Sequence, residues 1–194
     1  MKKIFYLFFL AGGLAQAQDN QFSFELKGNV MIPAGDNFLK DGLKNFSGFG
    51  LGFQGFFYKG FGLGAEYNFT SSEVKNESVF GTLKAPSLSS WEAHLLYHFP
   101  LTKKWEGEGS FGLSALRLKS RSDYRSDGFK ENAGSVILGA KLFYAISDKP
   151  KVQVFASPKL YFYSSDTQID QSDLQRYYSK ATLINLSAGV RLNF

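Results

Sequence analysis

Ile184-Asn185-Leu186-Ser187-Ala188-Gly189-Val190-Arg191-Leu192-Asn193-Phe194 is the stretch that decides how the rest of the chain reads. Ile184, Leu186, Ala188, Val190, Leu192 and Phe194 share one face. Asn185, Ser187, Gly189, Arg191 and Asn193 share the other. Strand side chains point alternately to opposite faces, so a strict period of two marks a strand with one apolar side. The same pattern opens the chain after residue 18. Phe22, Phe24, Leu26, Val30 and Ile32 alternate with Ser23, Glu25, Lys27 and Asn29, and Gly28 sits on the apolar side. Six further runs follow the rule, near 47–58, 61–70, 89–99, 105–118, 134–146 and 152–163. In the sixth and seventh strands Ile137, Phe143 and Phe155 fall on the polar face and interrupt the alternation.

The connections alternate in length. Short ones fall at Lys59-Gly60, 100–104 and 147–151, and long ones at 33–46, 71–88, 119–133 and 164–181. Short turns on one rim and long loops on the other predict an all-β fold, an eight-stranded antiparallel up-and-down transmembrane β-barrel. Composition narrows the alternatives. The 194 residues include no cysteine, which excludes a disulfide scaffold, a thiolate metal site and a cysteine nucleophile. Aromatics at 17% argue against a disordered chain. A mean hydropathy of -0.17 resembles that of a soluble protein, but an average over alternating faces hides the apolar one.

Residues 1–17 read as a cleaved signal peptide. Lys2 and Lys3 precede the apolar run Ile4–Ala11, and Ala15-Gln16-Ala17 has the small-x-small form of a cleavage site. The run is too short to span a membrane, which needs roughly 20 residues. The barrel domain is then 18–194. Loss of Lys2 and Lys3 lowers the formal charge from +5 to +3, too mild to suggest nucleic acid as a partner.

An alternating barrel turns its apolar face either inward around a ligand, as a soluble lipocalin-like barrel does, or outward to lipid. Three features favour lipid. The polar face collects Glu25, Lys27, Glu66, Glu92, Glu106, Glu108, Lys141, Lys159 and Arg191, both signs together, as a narrow polar lumen with ion pairs requires. Aromatic residues fall near strand ends, with Trp91 opening the fourth strand at the long-loop rim and Trp105, Tyr58, Phe61, Phe99 and Tyr144 near the short-turn rim, like two aromatic girdles. Glycines alternate with phenylalanines in the second and third strands, leaving lumen space for side chains from across the barrel.

With this pattern the chain resembles the small outer-membrane β-barrel family that includes the OmpA transmembrane domain and OmpX-type proteins. The terminal strand carries the sharpest likeness. Barrels of this family end in a β-signal, and here Ser187, Gly189, Leu192 and Phe194 occupy its polar, glycine, hydrophobic and terminal aromatic positions. The Gly-Phe pairs also look like small barrels of Bacteroidetes-type bacteria. The resemblance implies a Gram-negative outer membrane, periplasmic termini, contact with membrane lipid and lipopolysaccharide, and recognition of the last strand by the barrel assembly machinery. It implies a monomer with no cofactor and no peptidoglycan-binding part.

Some barrels of this size are enzymes that modify lipids. The two histidines, His94 and His98, both face the lumen by parity and lie roughly 13 Å apart along the strand. Neither is placed to activate a serine facing lipid, and together they do not make one metal site. The reading is a non-enzyme with neither catalytic nor metal-ligating residues. A small-molecule conduit resembling OmpW-like barrels is the alternative. Bulky inward groups at Phe56, Leu96, Phe143, Phe155 and Tyr161 lead us to expect a filled lumen. That leaves a structural or surface-contact role through the long loops. Loop three spans Lys119–Glu131, and loop four carries Asp166, Asp170, Asp173, Arg176, Tyr177 and Tyr178. Loop four has no EF-hand spacing.

Overall fold

The computed structural model describes residues 21–122, 128–148, 151–167 and 170–194. The signal-peptide reading of 1–17 lies outside the described residues, as do Asp123–Asp127 of the third loop. Eight strands close into a barrel in sequence order. They are β1 (Gln21–Ala34), β2 (Phe46–Tyr58), β3 (Phe61–Ser71), β4 (Leu83–Pro100), β5 (Trp105–Ser122), β6 (Phe129–Asp148), β7 (Lys151–Ser165) and β8 (Lys180–Asn193). Every neighbouring pair is antiparallel, and β8 closes on β1 with Arg191 opposite Glu25 and Ala188 opposite Gly28. Beyond β8, the Phe194 amide donates to the Phe22 carbonyl at 2.9 Å. Closure leaves no free edge, so every strand finds backbone partners on both sides.

The tight turn at Lys59-Gly60 carries positive φ at both residues, 42° and 87°, as a two-residue hairpin of the primed type requires. A Cβ on Gly60 would lie 2.2 Å from the His98 carbonyl oxygen, so glycine is needed there for space as well as for φ.

The strands are uneven. β4, β5 and β6 run to 18, 18 and 20 residues, whereas β2 and β3 have 13 and 11. The β4–β6 sector therefore rises above the rest of the long-loop rim. The expected limits were wrong here. β4 starts at Leu83 rather than near 89, and Lys119–Ser122 with Phe129–Glu131 are strand, not loop. The ladder continues through Lys119 opposite Lys130 and Ser120 opposite Phe129. The cause is an inversion of the pattern. Above Trp91 and Ala115 the apolar Leu88, Leu116 and Leu118 turn inward, while Arg117 and Lys119 face out.

Three short helices occupy the long connections: α1 (Phe38–Gly42), α2 (Glu77–Phe80) and α3 (Ser172–Ser179). The side chain of Asn37 caps α1 by accepting from the Lys40 amide, and that of Asn76 caps α2 by accepting from the Ser78 amide. None has the length that helical periodicity needs to become visible in sequence.

Candidate functional site in the barrel interior and its cap

The outer wall is apolar. Phe24, Leu51, Leu95, Phe111, Leu138 and Val190 are among its exposed side chains. Aromatic rings gather at the short-turn end, where Trp105 packs on Tyr144 at 5.0 Å and Phe99 on Tyr97 at 5.9 Å between centroids. Tyr58 is exposed at the same rim. Trp91 does not open β4. It lies eight residues inside the strand, 67% exposed, against Tyr67 at 4.8 Å. It marks the height at which the apolar wall ends on this side, because the next outward pair is Ser89 opposite Arg117.

Inside, alternation sends polar residues of all eight strands to one axis. Glu25, Glu66, Glu92 and Glu108 are buried, and so are Lys27, Lys141, Lys159 and Arg191, four of each sign. Glu66 is the hub. It pairs with Lys27, with Lys159 at 2.6 Å and with Lys141 at 3.0 Å. Lys141 also reaches Glu25 at 2.7 Å, and Lys159 reaches Glu92 at 3.1 Å. The Arg191 guanidinium bridges Glu25 and Glu108, each at 2.7 Å. Its far face lies 3.9 Å from the Phe143 ring centroid. Charges removed from water are tolerated when each has a partner and further hydrogen bonds. Tyr161 meets that need at Glu92, donating its hydroxyl proton at 2.7 Å.

Glu106 stands apart from this cluster. It is half-buried at the short-turn rim, where it pairs with Lys151 at 2.5 Å and accepts from Gln153. His98 Nε2 lies 2.9 Å from it. Below the cluster Phe143 and Phe155 pack at 5.5 Å between centroids. Ile137, Phe143 and Phe155 thus point inward and are buried, so the alternation they break in sequence is one of chemistry, not of strand geometry.

His94 is buried beside Glu92, with Nε2 at 3.2 Å from its carboxylate. Glu66, Glu92 and His94 bring their ligand atoms within 4.8 Å of one another, a spacing that could suit a metal ion. The Lys159 ammonium sits among them, 2.6 Å from Glu66, 3.1 Å from Glu92 and 3.5 Å from His94 Nε2. A cation there would have to displace a charge already matched to these acids. Both histidines face the interior, and neither has a serine oxygen as hydrogen-bond partner among the described residues.

The long-loop half of the interior is different, and it corrects the expectation of a polar lumen throughout. Met31, Phe46, Leu88, Leu118, Ile137 and Leu183 form a buried apolar cluster inside the strands. α1 lies over it and adds Phe38, Leu39 and Leu43. Phe38 stacks on Phe80 of α2 at 6.4 Å and meets Tyr178 of α3 at 5.7 Å. Phe80 in turn touches Phe129 of β6 at 5.9 Å. The Tyr177 hydroxyl donates to Asp41 at 2.9 Å, tying loop four to loop one. Burial first, and then the Asp41 carboxylate, push the Tyr177 phenol up to about 12. Loops one, two and four therefore form one joined cap. The sequence reading found Tyr177 and Arg176 but missed Phe38, Leu39 and Phe80. Their signal is a set of apolar residues within otherwise polar connections.

A closed barrel of eight antiparallel strands, apolar outside and charged at its centre, has the fold of the small outer-membrane β-barrel proteins. No protein-family model matches the sequence, and no curated protein matches it. Solved structures do. Neisserial surface protein A is 16% identical with a TM-score of 0.62, over 91% of this chain and 100% of that one. The outer membrane protein OprG from Pseudomonas aeruginosa is 11% identical with a TM-score of 0.60, over 91% and 97%. Ail, the attachment invasion locus protein of Yersinia pestis, is 14% identical with a TM-score of 0.55, over 90% and 97%. At these identities the likeness is one of fold.

Proposed function

We propose that the protein is an integral, non-enzymatic barrel of a Gram-negative outer membrane, closed along its axis, that acts through the cap its loops present to the exterior. The observation that carries this reading is the contrast between the apolar outer wall and an interior filled by matched charges below and an apolar cluster above. An apolar wall of this extent has no place in water, whereas in a bilayer it meets acyl chains. An eight-stranded barrel is just wide enough for its own side chains to fill. On this reading residues 1–17 are a leader removed on export, and both termini face the periplasm. The ion cluster has a structural role, and the aromatic rings near the rims sit at the membrane interfaces. Ser187, Gly189, Leu192 and Phe194 present the last strand to the assembly machinery. The protein works as a monomer in contact with membrane lipid and lipopolysaccharide. The joined cap supports a surface-contact role, since binding concentrates in loops held by a rigid scaffold. Ail of Yersinia pestis has been solved in complex with a heparin analogue, sucrose octasulfate. A surface role for this chain would be of the same broad kind.

The chain has no cysteine of its own, so single introduced cysteines report orientation. Leu174→Cys, exposed on α3, should react with a membrane-impermeant maleimide in intact cells. Thr102→Cys, in the turn between β4 and β5, should react only after the outer membrane is opened. The reverse pattern, or labelling of both in intact cells, would overturn the proposed placement.

A further inference from the structure

The tall β4–β6 sector carries a charge pattern that barrel stability does not explain. Arg117, Lys119 and Arg121 project from successive outward positions of β5. Lys119 stands opposite Lys130 of β6, and Arg121 opposite Lys84 of β4. Like charges directly across a strand pair destabilise a sheet. The only acid in the described tops of these three strands is Glu131, which is half-buried and accepts from Thr167 at 2.8 Å. Arg117 is steadied by donating from Nε to Asn132 at 2.9 Å. Beside these cations lies a recess of about 650 Å³ on the wall, in which Lys119, Arg121 and Lys130 share the lining with Phe69 and Phe129. The lining is thus cationic and apolar together.

Height decides between ligands. The cations begin at the outward pair next above Trp91 and Ala115, where the apolar wall stops. A lipid whose chains lie along that wall carries its head group to this level. A soluble polyanion would gain nothing from the adjacency. We infer that the outer face of β4–β6 above Trp91 binds a phosphorylated lipid of the exterior leaflet, with phosphate held by Lys119, Arg121 and Lys130 and acyl chains along the wall below. Phosphate bridging Lys119 and Lys130 converts a repulsive cross-strand pair into a shared ligand site. The inference rests on the outer-membrane placement proposed above and adds to it a side of the barrel and a head-group chemistry.

The test uses residues 18–194 refolded into phosphatidylcholine nanodiscs that contain a small fraction of bisphosphorylated lipid A. Retained lipid is read by native mass spectrometry. The native sequence should retain lipid A, and should retain the dephosphorylated form far less. The variant Lys119→Gln/Arg121→Gln/Lys130→Gln changes only wall positions outside the core and should weaken retention on the order of a hundredfold. A control with Lys59→Gln/Lys103→Gln/Lys104→Gln at the short-turn rim should retain it unchanged. Equal retention by the wall variant, or indifference to the phosphates, would overturn the inference. Binding of sucrose octasulfate without retention of lipid A would assign the wall to a soluble polyanion and overturn it too. Protease digestion separates the two levels. A chain that inserts with protected strands but holds no lipid A contradicts this inference alone, and a chain that fails to insert contradicts the membrane placement along with it.

Discussion

The two halves of the barrel interior are built on the same strands, at the same inward parity, from opposite materials. Towards the short turns, Glu25, Glu66, Lys141 and Arg191 fill the axis with paired charge. Towards the loops, Phe46, Leu88, Ile137 and Leu183 fill it with hydrocarbon under α1. Tyr161 belongs to both, its ring in the apolar cluster and its hydroxyl on Glu92. The outer wall changes in the opposite sense, apolar below and cationic above on β4–β6. One barrel is thus a membrane protein over its lower part and a soluble-type barrel, apolar inside and polar outside, over its upper part. The contrast teaches that the environment on the outer wall sets which material goes within. Where lipid covers the outside, strands keep apolar residues for the wall and place polar ones inside. Where water returns, the usual sense of burial returns with it.

The two halves should fail differently. The largest effect is expected from Arg191→Leu. It leaves Glu25 and Glu108 with Lys141 as their remaining close cation, at 2.7 and 3.6 Å. Breaking a buried pair from one side costs about 4 kcal/mol. Urea unfolding in detergent should show the loss across the whole barrel, and unchanged stability would mean that the charges are not coupled to folding. Leu39→Ala should come next. It empties a fully buried position of α1 and should cost about 3 kcal/mol. Its signature should be faster proteolysis in the loops while the lower strands stay protected. Simultaneous loss of protection everywhere would dissolve the distinction between the halves.

The smallest effect belongs to Tyr177→Phe, which removes one partly exposed hydrogen bond between loops one and four and should cost about 1 kcal/mol or less. The pH dependence has a definite sign. The folded phenol titrates near 12, above its ordinary 10. Its contribution is therefore complete below pH 10 and is lost as pH rises through about 12. The gap between native chain and variant should close over that window. A gap that widened with pH would contradict the hydrogen bond to Asp41.

The lower half was largely legible in the sequence. Eight runs of alternation gave the strand number, and the ionic residues on one parity gave the lumen set, with Glu106 drawn off to the rim by Lys151 and His98. The upper half was not legible, for a physical reason. Leu116 and Leu118 reverse the sense of alternation without breaking its period, so a search for apolar residues on the outer face loses the strand at that point. The same reversal made Lys119–Ser122 read as loop and Trp91 read as the start of β4. Phe38, Leu39 and Phe80 lie in helices too short to carry a period, and only the third dimension brings them together over the barrel.

The closed axis is the central claim, and single-channel conductance tests it most directly. Residues 18–194 would be refolded and inserted into a planar bilayer, with insertion verified by protease-protected strands. We expect an electrically silent membrane, because paired charges occupy the lower lumen and the apolar cluster the upper one. Steady current steps that scale with salt concentration would contradict that account and assign the protein to transport.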